Sequence, residues 1–223
     1  MSYLLKYAKI SIVKKQLMAA TGLLLSGFLL THMAGNCLIY FGPEFFNSYS
    51  HKLISNPFIY VAEAILALIF LSHMVLAFRV TLENRAARPD PYYVSVHSGR
   101  GATLASSTMA ITGIIIILFL IWHIVSLKYG HHYEATYHGV VMRDLHKLVI
   151  EYFQVEWHVV LYIVGMCAAG MHVTHGFWSA FQSLGVNHPK YNCCIRFTSK
   201  AYGIFVALGY SAFPIYCYLQ GGN

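Results

Sequence analysis

Thirteen histidines occur among 223 residues, and His32, His73, His123 and His172 each fall inside a long apolar run. An ionisable ring in hydrocarbon is expensive, so each of these needs a partner or a task. A neutral imidazole at such a place can hydrogen-bond across helices, pass a proton, or serve as an axial ligand to a metal. Two of the four close matching windows. Residues 18–32, MAATGLLLSGFLLTH, and 109–123, MAITGIIIILFLIWH, agree in Met, Ala, Thr, Gly, Phe, Leu and His at seven of fifteen positions. In each, a Thr-Gly pair is followed by His eleven residues after the Thr. The other two echo one another more faintly, in His73-x-x-x-Ala77-Phe78 and His172-x-x-x-Gly176-Phe177. The pattern points to two helix pairs related by rough internal symmetry, with one further helix added.

The elements that must position these rings are membrane spans. Hydrophobic residues make up 57% of the chain and charged residues 10%, with the apolar residues gathered in blocks. A span needs roughly 20 predominantly apolar residues to cross ~30 Å of hydrocarbon. Residues 17–40, 57–78, 102–127, 157–181 and 201–219 qualify. They are apolar all round, whereas helices of a soluble core keep a polar face. The expected fold is therefore an all-α integral membrane protein of five transmembrane helices, four of them a bundle in which each helix carries one of these histidines. Residues 1–223 form a single membrane-embedded domain.

The first block is longer than the apolar core of a signal peptide and has no small-residue cleavage site, so it reads as a retained span. Eleven basic residues (Lys6, Lys9, Lys14, Lys15, Arg79, Arg85, Arg88, Arg100, Lys190, Arg196 and Lys200) then share one side, against Lys52, Lys128, Arg143 and Lys147 on the other. The positive-inside rule puts the first set, and the N-terminus, in the cytoplasm. The net charge of +7 is thus a topology signal and calls for no nucleic acid. Cys37, Cys167, Cys193, Cys194 and Cys217 show no Cys-x-x-Cys spacing and read as packing residues.

With span directions assigned, depth can be compared. At a rise of ~1.5 Å per residue, His32 and His123 lie at nearly one level in the outer half, and His73 and His172 both lie close to the inner face. The four histidines form two pairs at two depths, on the order of 15–20 Å apart. Two b-type haems held on edge require this arrangement, because the iron of a non-covalent haem needs axial imidazoles from facing helices. Gly22, Gly27, Gly35, Gly113, Gly165, Gly170 and Gly176 leave room for a flat macrocycle or for close helix packing. His175 shares the face of His172, but the match of 172–177 to 73–78 favours His172. His158 precedes His172 by fourteen residues, but no second helix repeats that spacing, so it reads as interfacial.

Glu63 is the one acid inside a span, ~9 Å from its outer end by helix rise. It is the candidate for proton exchange with a membrane substrate near the outer pair, ahead of Glu44, His51 and His146. Arg79 is placed to meet a propionate of the inner haem. The segment 140–153 suggests a short interfacial helix, and 81–100 an ordered or partner-contacting loop.

One histidine on each of four spans, with Thr21-Gly22 and His32, Ser72-His73 before Ala77-Phe78-Arg79, Thr112-Gly113 and His123, and His172 before Gly176-Phe177-Trp178, resembles the di-haem cytochrome b anchor of succinate dehydrogenases and fumarate reductases. The resemblance covers essentially the whole chain. It implies two haem b groups, with His32 and His123 on the distal one and His73 and His172 on the proximal one. It also implies menaquinone as the membrane substrate, oxidised or reduced on this chain. Its partners would be an iron–sulfur subunit and a flavoprotein subunit on the cytoplasmic side, and its location the inner membrane, in contact with lipid. Gly170 stands where some fumarate reductases of the family carry a glutamate linked to proton movement, so that path is not carried over. The rival readings are a haem subunit of a hydrogenase or formate dehydrogenase and, from another class, a transporter with a histidine relay. Transporters often break their spans mid-membrane, and these spans are uninterrupted except at Pro214.

Overall fold

The computed structural model describes residues 11–87 and 107–221. In chain order the elements are α1 (Ser11–Asn36) running into a 3-10 segment (Cys37–Phe41), α2 (Pro43–Ile54), α3 (Phe58–Ala86), α4 (Met109–His123) with a π turn (Ile124–Lys128), β1 (Glu134–Tyr137), β2 (Val140–Arg143), α5 (Leu145–Tyr152), α6 (Glu156–Ser183) and α7 (Pro189–Gln220). Five helical stretches among the described residues are long and apolar enough to cross a membrane: Ile12–Phe41, Phe58–Ala86, Met109–Lys128, Glu156–Ser183 and Pro189–Gln220. Hydrocarbon offers the backbone no hydrogen bonds, so such segments must satisfy their own amides as helices.

Most of the differences from the sequence boundaries are helix extensions. Residues 81–86, expected in a loop, prolong α3, while Arg88 and Arg100 lie outside the described residues. The reason lies at the near end, the end where α1 begins. Lys14, on the first turn of α1, has a nearly buried side chain and places Nζ 2.5 Å from both oxygens of Glu83 on α3. An uncompensated buried ammonium would be costly, so the two helices continue together past the apolar run. At the fifth span, α7 starts at Pro189, where proline suits a first helical position, and it runs through Pro214.

α6 and α7 form the most extensive helix pair. Small residues allow it: a Cβ on Gly203 would strike Thr174 and the Gly170 carbonyl, and one on Gly170 would lie 2.7 Å from the Ala207 Cβ. Such close approach is the usual means of helix association in lipid. α7 also bonds to α1, with the Tyr202 hydroxyl donating to the Ser26 carbonyl at 2.5 Å and the Tyr210 hydroxyl to that of Leu29 at 2.6 Å. α1 packs along both α3 and α6, and α4 along α6, whereas α1–α4, α3–α6 and α3–α4 make no extensive backbone contact.

At the far end, α2, the β-hairpin and α5 fold over the bundle. The single helix expected over 140–153 is instead a strand, Val140–Arg143, followed by α5. His138 and Gly139 both have positive φ, 53° and 78°. That is the requirement of a tight two-residue hairpin turn, and it pairs Tyr137 with Val140. Arg143 then donates to the carbonyls of Leu127, Lys128, Gly130 and His131, satisfying groups left free at the end of α4. Asn47 of α2 is fully buried, donating to Asp144 Oδ1 at 2.8 Å and accepting from the His146 amide at 2.9 Å. Removing it strands the His146 amide and leaves Asp144 with only the Lys147 amide as a donor. Asn47→Ala should therefore lower stability by about 1–3 kcal/mol, seen as a lower thermal unfolding midpoint in detergent. An unchanged midpoint would show that this network does not hold the cap.

Candidate functional site

The histidines expected at one depth meet in space. The rings of His32 on α1 and His123 on α4 have centres 5.9 Å apart with planes at 86°. Those of His73 on α3 and His172 on α6 are 6.4 Å apart at 71°. Each pair spans two helices that do not otherwise pack on one another. Two imidazoles on opposite sides of one metal ion, each nitrogen about 2.0–2.1 Å from it, put their ring centres on the order of 6 Å apart. Both pairs match that separation.

The near pair is held by a device that repeats. His73 Nδ1 lies 3.2 Å from Thr21 Oγ1 and 3.1 Å from the Met18 carbonyl. His172 Nδ1 lies 3.2 Å from Thr112 Oγ1. A carbonyl only accepts, so His73 Nδ1 carries the proton and its Nε2 is left as the base. The neighbouring glycines let each ring lie against the helix: a Cβ on Gly22 would be 3.1 Å from His73 Cε1, and one on Gly113 3.6 Å from His172 Cε1. The internal repeat seen in the sequence is thus a repeat of contacts. In each pair of helices, the Thr-Gly of the first receives the histidine of the second.

The far pair is held differently. His123 Nδ1 lies 3.2 Å from the Tyr162 hydroxyl, and its ring stacks on Phe119. His32 stacks on Phe28 and faces Tyr210 at 6.0 Å. Because the near rings hang beside Thr21 and Thr112, the eleven residues to His32 and His123 set the vertical separation of the two pairs at about 16 Å by helix rise.

Glu63 on α3 forms an ion pair with Lys128 at the end of the α4 π turn, Oε1 to Nζ 2.6 Å, both side chains nearly half exposed. This pair links α3 and α4 at the far end, on the side where those helices do not pack. Arg79 is exposed, without a partner among the described residues, less than two turns beyond His73. His175 makes no ring contact or hydrogen bond among the described residues, and it is His172 whose ring faces His73. His158 is tied into an aromatic group, stacked on Tyr152 at 3.9 Å with Nδ1 donating to the Tyr152 carbonyl at 2.7 Å. Glu44, His51 and His146 lie in the far cap, where Glu44 meets His138 at 2.7 Å. Thr21, Thr112, Tyr162, Tyr210 and Lys128 had no individual role in the sequence reading. The repeated Thr-Gly was the one signal for any of them.

No cluster of three or more His, Cys, Asp or Glu among the described residues could hold a metal ion. A haem needs only two protein ligands, since the macrocycle fills the other positions, and two facing imidazoles between separated helices fit that demand. Comparison with protein-family models, curated proteins and solved structures finds no match.

The glycine contacts make a selective test. Gly22→Val fills the space that His73 occupies, so a metal or haem held by the near pair should be lost and one held by the far pair kept. Visible and EPR spectra of the variant check this, and loss at the far pair instead would contradict the assignment of contacts.

Proposed function

We propose that this chain is the membrane-anchoring, electron-transferring cytochrome b subunit of a succinate:quinone oxidoreductase or quinol:fumarate reductase. The observation that carries the reading is the pair of facing imidazole couples at two levels, each across helices that do not pack together. α1, α3, α4 and α6 are the haem-binding bundle, and α7 braces it. His32 with His123, and His73 with His172, would hold two haem b groups through their imidazoles. Bound there, the haems supply one-electron carriers at levels about 16 Å apart, by helix rise.

The chain's own residues supply the rest. The apolar helices exclude water, and the imidazole partners fix which nitrogen is the base. Oxidation of a quinol releases two electrons and two protons, so a proton acceptor must stand beside the electron acceptor. The Glu63 carboxylate fills that role at the far end, with Lys128 holding it in place. Menaquinone is the quinone. At the near end, exposed Arg79 is a counter-charge for a haem propionate. The near face also carries exposed Arg85, Lys190, Arg196 and Lys200. It is the cytoplasmic side, where an iron–sulfur subunit, itself joined to a flavoprotein subunit, would dock within electron-transfer reach of the near couple. This orientation follows from the positive-inside rule, and the membrane is the inner one. A rigid histidine relay explains less: proton transfer gives no reason for two couples at metal-spanning separation.

His32→Ala and His123→Ala should remove one component of the haem spectrum, and His73→Ala and His172→Ala the other. The ring planes of each couple stand steeply to one another, at 86° and 71°, so a ferric haem held there would have no single preferred imidazole plane. Strongly anisotropic low-spin ferric EPR signals are expected. Glu63→Gln should keep both components and slow haem reduction by a menaquinol analogue at least tenfold. Cross-paired losses, or Glu63→Gln reduced at the wild-type rate, would count against the ligand assignment and the quinone assignment respectively.

A further inference from the structure

We infer that Thr21 and Thr112 are positioning residues for the near haem, setting the ring orientation and basicity of its two axial histidines. The inference rests on the reading of His73 and His172 as ligands. Each threonine sits inside a helix and turns its hydroxyl proton back on its own backbone. Thr21 Oγ1 donates to the Leu17 carbonyl at 2.8 Å, and Thr112 Oγ1 to the Thr108 carbonyl at 3.0 Å. A hydroxyl has one proton and two lone pairs. With the proton spent, the oxygen faces the neighbouring helix as an acceptor, 3.2 Å from His73 Nδ1 and 3.2 Å from His172 Nδ1. A ligand imidazole whose other N–H is held in this way is fixed in tautomer and angle, and is the stronger donor to the metal.

The device serves the near couple alone, since the far couple has the Tyr162 hydroxyl on His123 and, among the described residues, no hydrogen bond on His32. Within the near couple the arrangement is the same on both sides: each ring has a second acceptor in the methionine carbonyl three residues before the threonine, Met18 for His73 at 3.1 Å and Met109 for His172. The two threonines therefore carry comparable loads. The serine-like part of the residue does the work, and the methyl group only fills space; valine keeps the shape and loses the acceptor.

The test compares full-length wild type, Thr112→Val, Thr21→Val and Thr112→Ser, reading haem content, EPR g anisotropy and midpoint potential for each haem. Thr112→Val should shift the near-haem g values and move its potential to more positive values, because a weaker donor favours ferrous iron. Thr21→Val should shift them by a comparable amount, Thr112→Ser should restore them, and the far haem should not move. If Thr112→Val loses the near haem outright, retention by Thr112→Ser supports the inference, and loss in both overturns it. Wild type with two haems and an unmoved near signal in Thr112→Val overturns this inference alone. Wild type without haem overturns the underlying reading, and this inference with it.

Discussion

The contact on which the rest depends is the one between His73 and the first helix, Nδ1 against the Met18 carbonyl and the Thr21 hydroxyl. An imidazole in hydrocarbon must have its N–H satisfied, and helix backbone has few free acceptors. A threonine whose proton is already given to its own helix supplies one. Repeating the device at Thr112 and His172 ties α3 to α1 and α6 to α4. The histidine-bearing faces of α3 and α6 are then turned toward one another. Eleven residues further along α1 and α4, His32 and His123 necessarily meet at a second level.

The surrounding structure keeps those faces apart while holding the helices together. α7 contributes no histidine to either couple, yet it has the closest packing, through Gly203 and Gly170 on α6 and through two tyrosine hydroxyls on α1. The far cap closes the other end, with Arg143 collecting the spare carbonyls after α4 and buried Asn47 joining α2 to α5. Lys14–Glu83 at the near end and Glu63–Lys128 at the far end bracket α3, whose apolar length has little other protein around it.

The spans and the two histidine couples were legible because both depend on one-dimensional quantities, apolar run length and rise per residue. Helix rotation is not legible in that way. Which side chain meets His123 or His32 depends on how α6 and α7 turn about their axes, so Tyr162 and Tyr210 left no mark. The Thr-Gly repeat was visible, but it reads equally as a packing motif until His73 and His172 are seen against it. In the cap, Val140-Val141-Met142 is a short apolar run that suits strand or helix alike. His138 taking positive φ beside Gly139 decided for the hairpin. Residues 81–86 stayed helical because Glu83 has Lys14 to reach.

The claim that the two couples are haem sites is tested most directly by the pyridine-haemochrome stoichiometry of the purified wild-type chain. The account predicts two haem b per chain. No haem would contradict it, and a single haem would contradict the assignment of both couples as haem sites.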